Sequence, residues 1–205
     1  MNNKEEKFFK SLALFCGEGN KAGIIFTKMS RGDMDEEAAG EEIHRIKKKM
    51  RNSMNLLFEK VYKVYKKTAE IDFAKTFLLK IYGVVNGMDE IAIQLSVCSM
   101  GERPANFEKM TELLTNSLEE IQKIVNYTSD ISANYMKMEA RCRKIYAFEE
   151  RGDEIYKEML STLFIGEHEP VYIIYWKDIL SETEKMLDDS AGSISLLQRL
   201  FIGGE

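Results

Sequence analysis

YMKMEARCRKIYAFEERGDEIYKEMLSTLF, residues 135–164, sets the period of the chain. Tyr135, Met138, Cys142, Ile145, Glu149, Gly152, Tyr156, Met159 and Leu163 follow one another in alternating steps of three and four. That spacing is the seam of a helix packed against neighbours. Glu149 stands on the seam where an apolar residue is expected. At ~100° per residue Asp153 lies at its edge, while Glu150, Glu154 and Glu158 turn progressively towards water. A carboxylate on such a stripe is costly unless something compensates it. Gly152, on the same seam, removes a side chain and leaves room for close approach or for an ion.

The same period runs outward through the chain. The pattern predicts six helices, over about 4–30, 35–67, 70–100, 105–131, 134–165 and 171–201. SRGDMD (30–35) forms the first turn and GERPA (101–105) a linker. In GEHEP (166–170) glycine ends a helix and proline prevents its continuation. The break near 67–70 carries neither Gly nor Pro. Only two prolines, Pro104 and Pro170, occur in 205 residues, which favours long uninterrupted helices. A helix of ~30 residues spans ~45 Å, so an elongated antiparallel bundle is the economical way to bury these stripes. The predicted fold is all-α: an elongated six-helix bundle of two tandem three-helix units. The chain 1–205 forms one domain with an N-terminal half, 1–101, and a C-terminal half, 104–205.

Composition narrows the function classes. The chain is 44% hydrophobic and 31% charged, with a net charge of −5. That is an ordinary globular balance, and it disfavours a nucleic-acid partner, which needs a basic face. Three widely spaced cysteines, Cys16, Cys98 and Cys142, form no CxxC motif. They fit neither a disulfide framework nor a zinc ribbon, and point to a reducing, cytoplasmic setting. MNNKEEKFFKSLALF has too short an apolar run for a signal peptide, and no window approaches the ~18 apolar residues of a membrane span. GEGNKAG (17–23) superficially resembles a phosphate loop but lacks a preceding strand and the GK[ST] ending.

The sixth helix repeats the acidic theme. Its stripe runs through Ile173, Leu180, Glu184, Leu187, Ala191 and Ile194, so Glu184 takes an apolar position and Asp188 follows four later. Glu182 and Asp189 face elsewhere. If helices five and six are antiparallel neighbours, Glu149 and Asp153 face Glu184 and Asp188. Four carboxylates in one bundle layer can hold hard or borderline cations. Spacing alone says little: 34 acids in 205 residues give roughly 5 to 6 acidic i,i+4 pairs by chance, most of them solvated. Buried salt bridges are the competing reading, with Lys144, Lys157 and Lys185 as counter-charges.

These residues carry a family resemblance. Glu149, Gly152, Asp153 and Ile155, then Leu163 and Phe164, a short turn, Lys177, Asp178 and Ile179, and finally Glu184 and Asp188 resemble the C-terminal half of the PhoU-like proteins. The match is to the branch accompanying Pit-type inorganic-phosphate transporters. It covers 140–201, and the remainder only through length and helix layout. The resemblance implies two tandem three-helix bundles. It also implies a metal, iron or zinc in this family, on Glu149, Asp153, Glu184 and Asp188. The implied role is accessory or regulatory in phosphate transport, through contact with a transporter or its signalling partner at the inner membrane face. The N-terminal half departs from the pattern. Lys47 and Arg51 stand where the first acidic motif would align, and Asp89 has Val85 four residues before it. A second metal site is therefore expected to be lost.

His44 lies on a helix and His168 in a turn; both read as surface residues and neither as a ligand. Lys47, Lys48, Lys49, Arg51, Lys60, Lys63, Lys66 and Lys67 make the second helix cationic. That is a solvated face or a contact for an anionic partner such as a phospholipid surface. Twelve methionines read as adaptable core filling. No nucleophile–base arrangement supports an enzyme. The alternatives are a metal-free helical scaffold and a carboxylate-bridged metal enzyme on a ferritin-like bundle, which usually needs Glu-x-x-His pairs absent here. Homo-oligomerisation stays open.

Overall fold

The computed structural model describes residues 3–98 and 101–202, with side chains to 200. The elements, in chain order, are α1 (Asn3–Arg31), α2 (Glu36–Val64), α3 (Thr68–Val97), α4 (Phe107–Asn126), a 3₁₀ segment (Tyr127–Asp130), α5 (Ile131–Ile165) and α6 (Pro170–Ile202). No strand occurs among the described residues, so the fold is an all-α bundle. Residues 99–100, assigned to the third helix by pattern, and the terminal GGE lie outside the described residues. Among the described residues no helix is long and apolar enough to cross a membrane.

Local chemistry explains the breaks. Gly32, at φ 79°, takes the left-handed conformation after α1. Its N–H donates to Met29 O at 3.0 Å and that of Asp33 to Lys28 O at 2.9 Å. These bonds satisfy carbonyls that the helix end leaves unpaired, and glycine bears the positive φ without a Cβ penalty. Asp35 then caps α2 by accepting from the N–H groups of Glu37 and Ala38. The weakest sequence break is made by Tyr65, which is extended at φ −92°, ψ 146°. Its ring packs edge-on to buried Phe8, with centroids 5.8 Å apart, so a tertiary contact supports a turn that no Gly or Pro announces. The fourth helix stops at Asn126 rather than near 131, because the chain tightens into the 3₁₀ segment and Asp130 caps α5 through Ala133 N–H. Pro170 opens α6. It both stops the preceding helix and starts the next, where its missing N–H has no cost.

The first three helices pack on one another, as do α4, α5 and α6, and the most extensive contacts join α1 to α4 and α3 to α6. The core is continuous from Phe8, Phe15 and Phe26 to Phe107, Trp176 and Ile194. Gly17 and Gly23 serve the α1–α4 contact, while Gly19 faces Ile81 and Val85 of α3. A Cβ on Gly23 would lie 3.3 Å from the Cα of Thr115 and 3.2 Å from Leu118 Cδ1. Beside it Thr27 Oγ1 donates to Thr111 O at 3.0 Å, so the close approach also satisfies a buried hydroxyl. Arg103, in the linker, donates to Met29 O and Ser30 O, both at 2.7 Å, and to Glu36 Oε1 at 2.5 Å. The linker thus ties the end of α1 to the start of α2.

Candidate functional site

The seam of α5 buries Met138, Cys142, Ile145, Gly152, Met159 and Leu163. Two of its predicted positions shift. Ile155 is buried where Tyr156 is only half-buried, and Tyr135, at the helix start, is 39% exposed. Glu149 is half-buried on this seam, as its apolar register requires. The room that Gly152 leaves is filled: a Cβ there would lie 2.5 Å from Leu187 Cδ1 of α6. Gly152 therefore serves helix approach and does not leave a void for an ion.

That approach sets α5 against the stretch of α6 carrying Glu184 and Asp188. Glu184 is half-buried between Thr183, Met186 and Leu187, all buried, while Asp188 is exposed. The acids influence one another electrostatically. The Glu149 carboxyl is raised above its ordinary range, first by desolvation, then by Asp188 and Asp153. Glu184 is raised first by desolvation, then by Asp188, Asp153 and Glu149. Asp188 is raised by desolvation, then by Asp153 and Asp189, against the opposing charge of Lys80. Each ionised acid thus makes ionisation of its neighbours less favourable.

Counter-charge is sparse. Lys157 Nζ donates to Asp153 Oδ2 at 2.5 Å, along the solvent side of α5. Lys185 pairs with Glu182 at 3.2 Å, and Lys80 of α3 pairs with Asp189 at 2.6 Å. No ion pair is formed by Glu149, Glu184 or Asp188 among the described residues. The donors are those a hard or borderline cation would choose. Among the described residues, however, no group of three or more His, Cys, Asp or Glu side chains is arranged to hold a metal ion. Side-chain rotation, with Asp153 leaving Lys157, would be needed to converge them.

The N-terminal half answers with a different arrangement. Asp89 of α3 is 1% exposed. Lys47 Nζ of α2 forms an ion pair with its Oδ2, and His44 Nδ1 lies 3.1 and 3.2 Å from its two oxygens. Lys47 also donates to Asn86 Oδ1 at 3.2 Å. Where a cation site would need acids, the chain supplies its own cation to a buried carboxylate. His44 is therefore no ordinary surface histidine. It is a partner of Asp89, and its three-residue spacing from Lys47 on one helical face was the available signal. His168 is exposed in its turn and stacks on Tyr172, with centroids 4.7 Å apart.

No protein-family model matches this chain, and no curated protein matches it.

Proposed function

We infer that this chain is a PhoU-like accessory or regulatory protein of inorganic phosphate transport, built as two tandem three-helix units and acting by protein contact. The observation that carries this reading is the coupled carboxylate group of Glu149, Asp153, Glu184 and Asp188 on facing helices. It is the chemical core of the motif on which the resemblance rests. The two-unit layout rests on the resemblance: helices within each half pack on one another, but the most extensive contacts, α1 with α4 and α3 with α6, join the two halves.

A divalent or trivalent cation, iron or zinc by resemblance, would be held by these four acids. It would neutralise Glu149, Glu184 and Asp188, which form no ion pair among the described residues, displace Lys157 from Asp153, and so clamp α5 to α6. Protein contact is supported by an exposed apolar group at one end of the bundle. Val97, Phe164, Ile165, Val171 and Ile174 are 59–82% exposed. Of these, Val97, Val171 and Ile174, with Ile93, line a groove of about 490 Å³ between the end of α3 and the start of α6. Isolated exposed apolar residues are normal, but contiguous ones mark contact sites.

The test is phosphate uptake in cells lacking this protein, complemented by wild type or by Ile174→Asp. Uptake should change on deletion and be restored by wild type only, and a phosphate permease should co-purify with wild type and not with the variant. Unchanged uptake and no permease in the co-purified material would sink the reading. A second reading, a metal-free helical scaffold, is favoured by Leu187 filling the space at Gly152. It predicts permease binding with no metal.

A further inference from the structure

We propose that the outer face of α2 is a docking strip for an anionic lipid surface. Between 45 and 67 the chain carries nine Lys and Arg against one acid, Glu59, in a protein whose net charge is −5. Some of these cations are used internally. Arg45 pairs with Glu42, Lys47 with Asp89 and Lys49 with Glu18, and Lys60 donates to Ser11. Lys48, Arg51, Lys63 and Lys66 are exposed and form no ion pair among the described residues. At ~100° per residue Lys48, Arg51 and Lys63 fall within about 60° of one line along α2, opposite the buried stripe of Ile46, Met50, Leu57 and Val61, and Lys66 follows just beyond the helix end at Val64.

Two apolar side chains stand on the same outer face: Leu56, 60% exposed, and Tyr62, 55% exposed. Lys75 of α3 donates to the Tyr62 hydroxyl at 3.2 Å and lies 5.4 Å from its ring centre. This holds the ring beside the strip and adds a further cation. Cations flanking an exposed leucine and a tyrosine are the ingredients of an interfacial helix. The cations seek lipid headgroups, and the apolar tips enter the headgroup boundary. A nucleic-acid backbone would satisfy the lysines but offer Leu56 nothing. From Lys48 to Lys63 the strip extends about 20 Å along α2, a shape suited to a flat surface. It is separate from the acids of α5 and α6, so its failure and theirs are distinguishable.

The experiment is vesicle sedimentation of the full chain with phosphatidylcholine alone, and with about 30% phosphatidylserine added, at low and high salt. Wild type should bind the anionic vesicles, lose them at high salt and ignore the neutral ones. Each cation removed should cost roughly fivefold, so Lys48→Gln/Arg51→Gln/Lys63→Gln/Lys66→Gln should lose a few hundred-fold. Leu56→Ser/Tyr62→Ser should lose about tenfold or more. Lys144→Gln/Lys177→Gln, with the same charge change on α5 and α6, should bind more tightly than Lys63→Gln/Lys66→Gln. No binding by wild type, or undiminished binding by the fourfold variant, would overturn the proposal. So would RNA or polyglutamate binding as tightly as the vesicles, which would make the strip a general polyanion face.

Discussion

Gly152 of α5 and Leu187 of α6 meet so closely that any side chain at 152 must displace the Leu187 methyl: an added Cβ would lie 2.5 Å from it. This contact brings the two acidic stretches face to face. It also inverts the usual value of a helical glycine. Alanine would gain ~1 kcal/mol in helix propensity, yet Leu187 is 1% exposed and has little room to yield.

Gly152→Ala is therefore expected to destabilise the protein by about 1 kcal/mol, because overpacking of ~1–3 kcal/mol outweighs the propensity gain. In a Leu187→Ala background the same change should be neutral or stabilising. Urea midpoints for the four proteins of this cycle provide the check. A stabilising Gly152→Ala in the wild-type background would show that the helices are less closely apposed.

The Lys47–Asp89–His44 group makes a second prediction. Lys47→Met leaves a buried carboxylate with only His44 beside it, and should cost about 3 kcal/mol. Adding Asp89→Leu should restore most of the loss, since an apolar pair of similar volume needs no compensation. A loss below about 0.5 kcal/mol for Lys47→Met, as for an ordinary surface pair, would contradict the assignment.

These two cases show how far the sequence was legible. The helical seam of α5 was readable because burial in a helix imprints a 3-4 period. The acid on it, Glu149, stood out against that period. Asp89 did not: its ion-pair partner lies 42 residues away, between Lys47 and Asp89, and pairing at that distance leaves no local pattern. The same holds at Tyr65, where a ring packed edge-on to Phe8 replaces the Gly or Pro expected at a turn. Gly152 was recognisable as a gap in the seam, but only the structure shows Leu187 filling it.

The pH dependence follows from the directions of the carboxyl shifts. Glu149, Glu184 and Asp188 are raised in the folded chain. Their favourable contribution is full below the ordinary carboxylate values of about 4 and is lost as pH rises through the raised ones. Glu18, held low against desolvation by Lys21 and Lys49, and Glu120, held low by Arg141 and Lys123, act in the opposite sense. Their contribution is present above about 4.5 and is lost as pH falls through the lowered values. Without metal, thermal stability should rise as pH falls from neutrality through the raised carboxyl values, then fall as the lowered values of Glu18 and Glu120 are passed. Glu184→Gln should raise stability at neutral pH by a few tenths of a kcal/mol and flatten the rise. A stability that falls steadily on acidification from neutrality, with no rise, would contradict the repulsive cluster.

The most direct test of the central claim is the metal content of protein purified without chelator, measured for wild type, Glu149→Gln and Glu184→Gln, with the melting temperature taken before and after chelation. The account predicts iron or zinc on the wild type, a lower melting temperature once it is removed, and loss of metal in both variants while helicity is retained. Wild type that carries no metal and gains no stability from added iron or zinc would contradict it, as would metal retained in both variants.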